Sequence, residues 1–202
     1  MEVKEPITEY SKLDFDKEYS YLDYMSWKFT ERLELIKGQI FKMSPAPNNN
    51  HPKVILNISS EVYKLFKKEQ CNVYIAPFDV RLYTPNQKKN YTVVQPDLCI
   101  VCNEALLDKQ CCNGSPDLVL EILSSKNTKR DLHTKFELYE ECGIKEYWVI
   151  DIENKMVLIY TLSNGKYIGL KPFTLDMITQ SVLFPQLQIA VDDVFYSVKS
   201  WD

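Results

Sequence analysis

The chain has 202 residues, 45% of them apolar and 26% charged, which is enough for one domain with a sizeable core and ordinary for a globular protein. A formal net charge of −4 removes any bulk electrostatic case for a protein that simply coats DNA, but leaves room for an enzyme with a basic rim around an acidic site. No N-terminal apolar run resembles a signal peptide, and no stretch approaches the ~20 apolar residues of a membrane span. The expectation is a cytoplasmic protein, away from membranes, with its six cysteines reduced.

Residues 1–20 are polar and weakly patterned and read as an N-terminal arm; residues 21–202 read as a single domain, without repeats or an interdomain linker. Residues 19–29 are rich in aromatics and predict a short helix with Tyr21, Leu22, Met25 and Trp27 on its apolar side. Residues 33–43 hold two β-prone runs around Lys37-Gly38, a hairpin. Residues 44–50, with Pro45, Pro47 and three asparagines, are a loop. A helix then starts at His51-Pro52, with Asn50 or His51 as cap and Pro52 in its first turn. Its inward stripe is Ile55, Ile58, Val62, Leu65 and Phe66, and Lys67 and Lys68 suit its C-terminal end. Residues 73–83 and 91–101 read as two strands around a polar turn at 84–90, and residues 103–113 as a connector.

The stretch 114–151 organises the rest. Leu118 to Leu123 is an apolar run broken only by Glu121, as in a strand of a sheet covered on both faces. A carboxylate there is anomalous, because burying a charge is costly unless it is paired or binds a metal. A helix over 129–142 follows, stopped by Gly143, and a second apolar strand covers 147–150. Strand, helix and strand in this order predict a crossover unit in a partly parallel sheet. On that helix Leu132, Phe136, Tyr139 and Cys142 form the inward stripe, and Lys135 borders it. Spacing alone leaves two readings of Lys135: a lysine snorkelling at the edge of a packed face, or an amine reaching back to Glu121. Beyond 151, a hairpin is predicted around Asn164-Gly165, then a short strand and a terminal helical turn by 195.

Cys99-x-x-Cys102 and the pair Cys111, Cys112 are weak zinc hints. Residues three apart on a strand point to opposite faces, so Cys99 and Cys102 are poorly placed to share one ion.

Asp97 follows a proline in one predicted strand and Glu121 lies within the next. If those strands are neighbours, two carboxylates converge on one point, a reasonable Mg²⁺ site because that ion takes few protein oxygens and keeps several waters. A lysine beside it can orient a water and offset charge on a pentavalent phosphate, so metal plus lysine suits phosphodiester hydrolysis.

Over residues 20–196 the sequence resembles the Uma-two family of restriction endonucleases, within the PD-(D/E)xK nuclease superfamily. The resemblance is carried by Glu34-Leu-Ile-Lys-Gly38, Met43-Ser-Pro-Ala-Pro47, His51 and Gln95-Pro-Asp-Leu98. It continues through Pro116-Asp-Leu-Val-Leu-Glu-Ile-Leu-Ser124, Asp131-x3-Lys135 and Gly143-Ile-Lys-Glu-Tyr-Trp-Val-Ile-Asp151. It implies an α/β (α+β) restriction-endonuclease-like core, a mixed central sheet flanked by helices, extended N-terminally by the hairpin and helix. It also implies a Mg²⁺-dependent endonuclease acting on DNA, with Mn²⁺ as a substitute ion. Asp97 and Glu121 would be the metal-binding acids. The motif lysine expected two residues after Glu121 is replaced by Leu123, and the family pattern moves it to Lys135.

Three auxiliary positions accompany these. His51 is either a contact to metal-bound water or phosphate, or a helix cap. Glu34 is either a third acid or a solvent-facing strand residue. Asp131, one helical turn from Lys135, can pair with it. Asp117, although it too follows a proline, opens its strand and suits a turn or cap contact. Lys126, Lys129 and Arg130 are candidate phosphate contacts, with a solvated loop as the ordinary reading of such a run. Double-strand cleavage would favour a homodimer, which faces two sites to two strands. The rival reading is a catalytically silent nucleic-acid- or protein-binding module that keeps the fold.

Overall fold

The computed structural model of the chain describes residues 7, 9–28, 31–43, 49–84, 92–123 and 128–199, with the backbone alone at 128–131. The elements in order are α1 (Tyr21–Ser26), β1 (Leu33–Ile36), β2 (Gln39–Lys42), α2 (Asn50–Phe66), β3 (Asn72–Ile75), β4 (Asp79–Arg81), β5 (Val93–Val94) and β6 (Leu98–Val101). There follow β7 (Cys111–Asn113), β8 (Leu118–Leu123), α3 (Thr128–Glu141), β9 (Glu146–Asp151), β10 (Met156–Ser163), β11 (Lys166–Gly169), β12 (Ile178–Gln180), β13 (Gln188–Ala190) and α4 (Val191–Val194). A six-stranded sheet runs β11-β10-β9-β8-β6-β3, a five-stranded sheet β2-β1-β5-β4-β7, and β12 pairs with β13.

The expected crossover is present: β8 and β9 are parallel, with Glu121 opposite Val149, and α3 connects them. Gly143, at φ 76°, ends the helical segment, a backbone conformation that favours glycine. The alternation along β8 assigns its two faces. Leu118, Leu120 and Ile122 join the core against α2 through Val54, Ile58, Val62 and Phe66. Val119 and Leu123 join the core against α3 through Leu138, Tyr139 and Phe136. The six-stranded sheet is thus covered on both faces, which is why β8 and β9 read as nearly continuous apolar runs. The hairpin at Lys37-Gly38 also forms as expected, both residues having positive φ, 51° and 85°.

Three sequence expectations change. The runs 73–83 and 91–101 are not single strands. Each splits between the two sheets, β3 from β4 and β5 from β6. Pro77 and Pro96 lie in the breaks, and neither has an N–H to give a ladder. The breaks lie side by side, with Ala76 N donating to Asp97 O at 3.1 Å. In α1, Leu22 and Met25 are 80% and 46% exposed; the inward residues are Tyr21, Tyr24 and Trp27, which pack toward Leu13, Tyr19, Leu33, Leu35 and Val93. A six-residue helix turns a narrow face inward, and the aromatic rings supply it.

The third correction concerns the thiols. Cys71 and Cys102 form a disulfide, leaving Cys99, Cys111, Cys112 and Cys142 free. β3 and β6 pair antiparallel with Asn72 opposite Val101, and one further step sets Cys71 opposite Cys102. Two cysteines 31 residues apart become cross-strand neighbours through register alone.

Candidate active site

Because β8 alternates, Glu121 faces α3 along with Val119 and Leu123, in a strand whose other residues are apolar. It is 8% exposed. Its Oε1 accepts hydrogen bonds from Lys135 Nζ at 2.8 Å and from Tyr139 OH at 2.6 Å. Lys135 and Tyr139 stand four residues apart on α3, so one helix face delivers both donors to one oxygen. Lys135 Nζ also pairs with Glu34 Oε1, 3.0 Å away on β1 of the other sheet. The Lys135 side chain therefore reaches back to the carboxylate strand, and Glu34, 5% exposed, faces this cluster rather than solvent.

Asp97 sits where the chain passes from the five-stranded to the six-stranded sheet. β6 and β8 pair antiparallel with Leu98 opposite Leu120, so continuing the register by one residue sets Asp97 opposite Glu121. Asp97 Oδ2 accepts from Ile122 N at 2.8 Å and lies 3.3 Å from His51 Nε2. His51 comes from the first turn of α2, which starts one residue earlier than expected and has Asn49 at its N-cap. Asn50 is buried there and its amide donates to Lys199 O at 2.7 Å, so His51 does not serve as the cap. Two residues before Asp97, Gln95 N donates to Glu34 Oε1 at 2.9 Å. The segment 95–97 thus ties both sheets to the same cluster.

The charges act on one another. Burial pushes the Glu121 carboxyl up, to about 7, with Lys135 pulling the other way and Asp97 and Glu34 adding to the rise. Burial disfavours the Lys135 ammonium, but Glu121 and Glu34 outweigh it and hold the amine above the ordinary lysine range. The hydrogen bond to Asp97 raises His51, opposed by burial. Tyr139 is driven well above the usual tyrosine range by burial and then by Glu121, so its hydroxyl stays a donor.

The structure therefore brings together Asp97, Glu121, Lys135, Glu34 and His51. Lys126 lies outside the described residues. Lys129, Arg130 and Asp131 begin α3, but their side chains lie outside the description, as does any pairing of Asp131 with Lys135. Asp117 stands apart: it accepts from Cys102 N at 2.8 Å and pairs with Lys145 at 2.6 Å, so its side chain joins distant segments rather than making the turn or cap contact expected of it. Tyr139 was legible only as core. Its position four residues after Lys135 was the available signal, since a stripe tyrosine one turn from a site lysine faces the same carboxylate.

Asp97 and Glu121 each keep one oxygen, Oδ1 and Oε2, to which no described residue donates a hydrogen bond. Carboxylate oxygens are the donor type that hard ions such as Mg²⁺ or Mn²⁺ take, although the described residues hold no cluster of three or more His, Cys, Asp or Glu arranged for a metal.

The fold matches that of a solved structure. The crystal structure of a protein from Anabaena variabilis ATCC 29413, described as "a putative nuclease belonging to DUF820", superposes with a TM-score of 0.70. The match covers 88% of this chain and 97% of that one at 16% sequence identity, a likeness of fold. The family model Uma2, described as "Putative restriction endonuclease", matches residues 21–192, and the chain belongs to that family. No curated protein matches the chain.

Proposed function

We propose that the chain is a metal-dependent endonuclease that hydrolyses DNA phosphodiester bonds, with Asp97 and Glu121 as metal ligands and Lys135 as the catalytic cation. One observation carries the reading: an amine from α3 stands on Glu121 Oε1 although the strand position two residues on is Leu123. Family membership supports the same class of chemistry.

Asp97 and Glu121 would hold Mg²⁺ or Mn²⁺, which would supply Lewis acidity and lower the pKa of a water. Ile122 N fixes Asp97, and Lys135 with Tyr139 fixes Glu121, so both acids are oriented before any ligand arrives. Lys135 remains protonated between two carboxylates and serves to orient water and offset charge developing on the phosphate, rather than as a free base. Glu34 positions that amine. His51, 3.3 Å from Asp97, would contact a water or a phosphate oxygen at the site.

The test incubates plasmid and oligonucleotide substrates with Mg²⁺ or Mn²⁺, with wild type beside Glu121→Ala. Cleavage by wild type alone is the expected result. A folded wild type that leaves every DNA substrate intact would replace this reading with a silent binding module.

A further inference from the structure

We propose that Arg32 is a phosphate clamp at the mouth of the acidic cluster, engaging a phosphodiester of the DNA backbone next to the one that is cut. This rests on the endonuclease reading and adds to it the group that holds the substrate. Arg32 O accepts from Met43 N at 3.0 Å, which continues the β1–β2 ladder by one residue. Arg32 and Glu34 are two residues apart on that extended strand and so share a face. Glu34 turns inward to Lys135; Arg32 is the next step outward and is exposed.

The guanidinium is held in place. Gln95 Oε1 accepts from Arg32 Nε at 3.1 Å and from Nη2 at 2.7 Å. The Gln95 amide is anchored in turn, donating to Asp79 Oδ1 at 2.7 Å. Gln95 lies two residues before Asp97 and bonds Glu34 through its backbone, so the tether is part of the site's own framework. The chemistry of the tether matters. Lys37, Lys64, Lys145 and Lys166 each meet a carboxylate that offsets their charge. Arg32 meets a neutral amide, and among the described residues no carboxylate lies within ion-pair distance of it. Among the described residues nothing else meets the Nη1 edge of its planar fork, which leaves that edge and its charge to a ligand. That fork matches two phosphate oxygens at once, and a fixed guanidinium loses little freedom on engaging them. The three acids outnumber the one ammonium set among them, so a cation at their rim favours the approach of a polyanion.

The experiment measures anisotropy of fluorescein-labelled double- and single-stranded oligonucleotides in EDTA over a range of salt, and cleavage in Mn²⁺. It compares wild type, Arg32→Ala, Arg32→Lys and, as a remote control, Lys166→Ala. Arg32→Ala is expected to weaken DNA binding about 10-fold and reduce the salt slope by about one, as loss of one phosphate contact does. Arg32→Lys should recover only part of this, and Lys166→Ala should match wild type. Should Arg32→Ala lower the melting temperature, Arg32→Gln decides, because it keeps a donor towards Gln95 without the charge. Reduced affinity in that variant supports the clamp, and unchanged affinity overturns it. Wild type that cleaves, beside an Arg32→Ala of equal affinity and salt slope, sinks the clamp alone. Wild type that neither binds nor cleaves removes the endonuclease reading and the clamp with it.

Discussion

At the scale of single residues, Lys135 is held by two carboxylates from different sheets, and its contribution is separable from theirs. Lys135→Ala should cut turnover by about 10²-fold or more, the scale of losing one transition-state donor, while metal affinity measured by calorimetry persists. Lys135→Arg keeps the charge but presents donors in another geometry, and should rescue little. Wild-type cleavage rates in Lys135→Ala would show that the amine is only structural. Glu121 yields a pH prediction. Its carboxyl is raised from 4.5 to about 7, so between those values the folded chain holds a proton that the unfolded chain has released. Stability without metal therefore falls as pH rises through that window. Glu121→Gln carries no such proton. Its melting temperature in metal-free buffer should equal that of wild type near the lower end and exceed it above the upper end. Parallel curves for the two proteins would show that Glu121 does not titrate there. Tyr139 completes this scale. Tyr139→Phe removes one of the two donors on Glu121 Oε1 and should weaken metal affinity about 10-fold, as losses behind a ligand do. An unchanged affinity would confine Tyr139 to packing.

At the scale of elements, the crossover β8-α3-β9 sets the site because strand and helix have different periods. Period two on β8 sends Glu121 to the α3 side. The helical period brings Lys135 and Tyr139 to it together. Glu146, at the start of β9, shows what a purely structural acid looks like. It is fully buried, and accepts from Trp148 Nε1 at 2.6 Å and from Val182 N and Leu183 N at 2.8 Å each. All its donors are fixed protein groups, whereas Asp97 Oδ1 and Glu121 Oε2 receive no hydrogen bond from any described residue. The edge pair β3-β6 carries the disulfide. Thiol titration of the unfolded protein without reductant should find four groups, rising to six after reduction. Cys71→Ser should cost about 2–4 kcal/mol in chemical denaturation, by releasing a loop the bridge closes. Six thiols before reduction would remove the bridge from the folded protein.

At the scale of the whole molecule, the site stands where the two sheets meet, at residues 95–97, and each sheet contributes an acid to the lysine of α3. On the endonuclease reading, one such site addresses one strand of a duplex. Cutting both calls for two copies related by a two-fold axis, so sedimentation should find a dimer, at least on DNA. A chain that stays monomeric on DNA and only nicks it would set that aside. Much of this architecture was legible in the sequence. Both hairpins, the crossover unit and the anomalous carboxylate in β8 follow from local periodicity and turn chemistry, which neighbouring residues determine. The motifs were ordered densely enough to indicate the family. Other features depended on residues far apart in the chain. Prolines divided two apparent strands between different sheets. Ladder register placed Cys71 opposite Cys102 and Asp97 opposite Glu121. The choice between two readings of Lys135, Glu34 and His51 also required three dimensions, because a side chain at the edge of a packed face meets water or a partner according to what the rest of the chain sets there. Amino-acid order determines which faces are apolar and which residues carry charge, whereas tertiary packing decides which charges meet, since pairing across strands and layers depends on register that no single segment encodes.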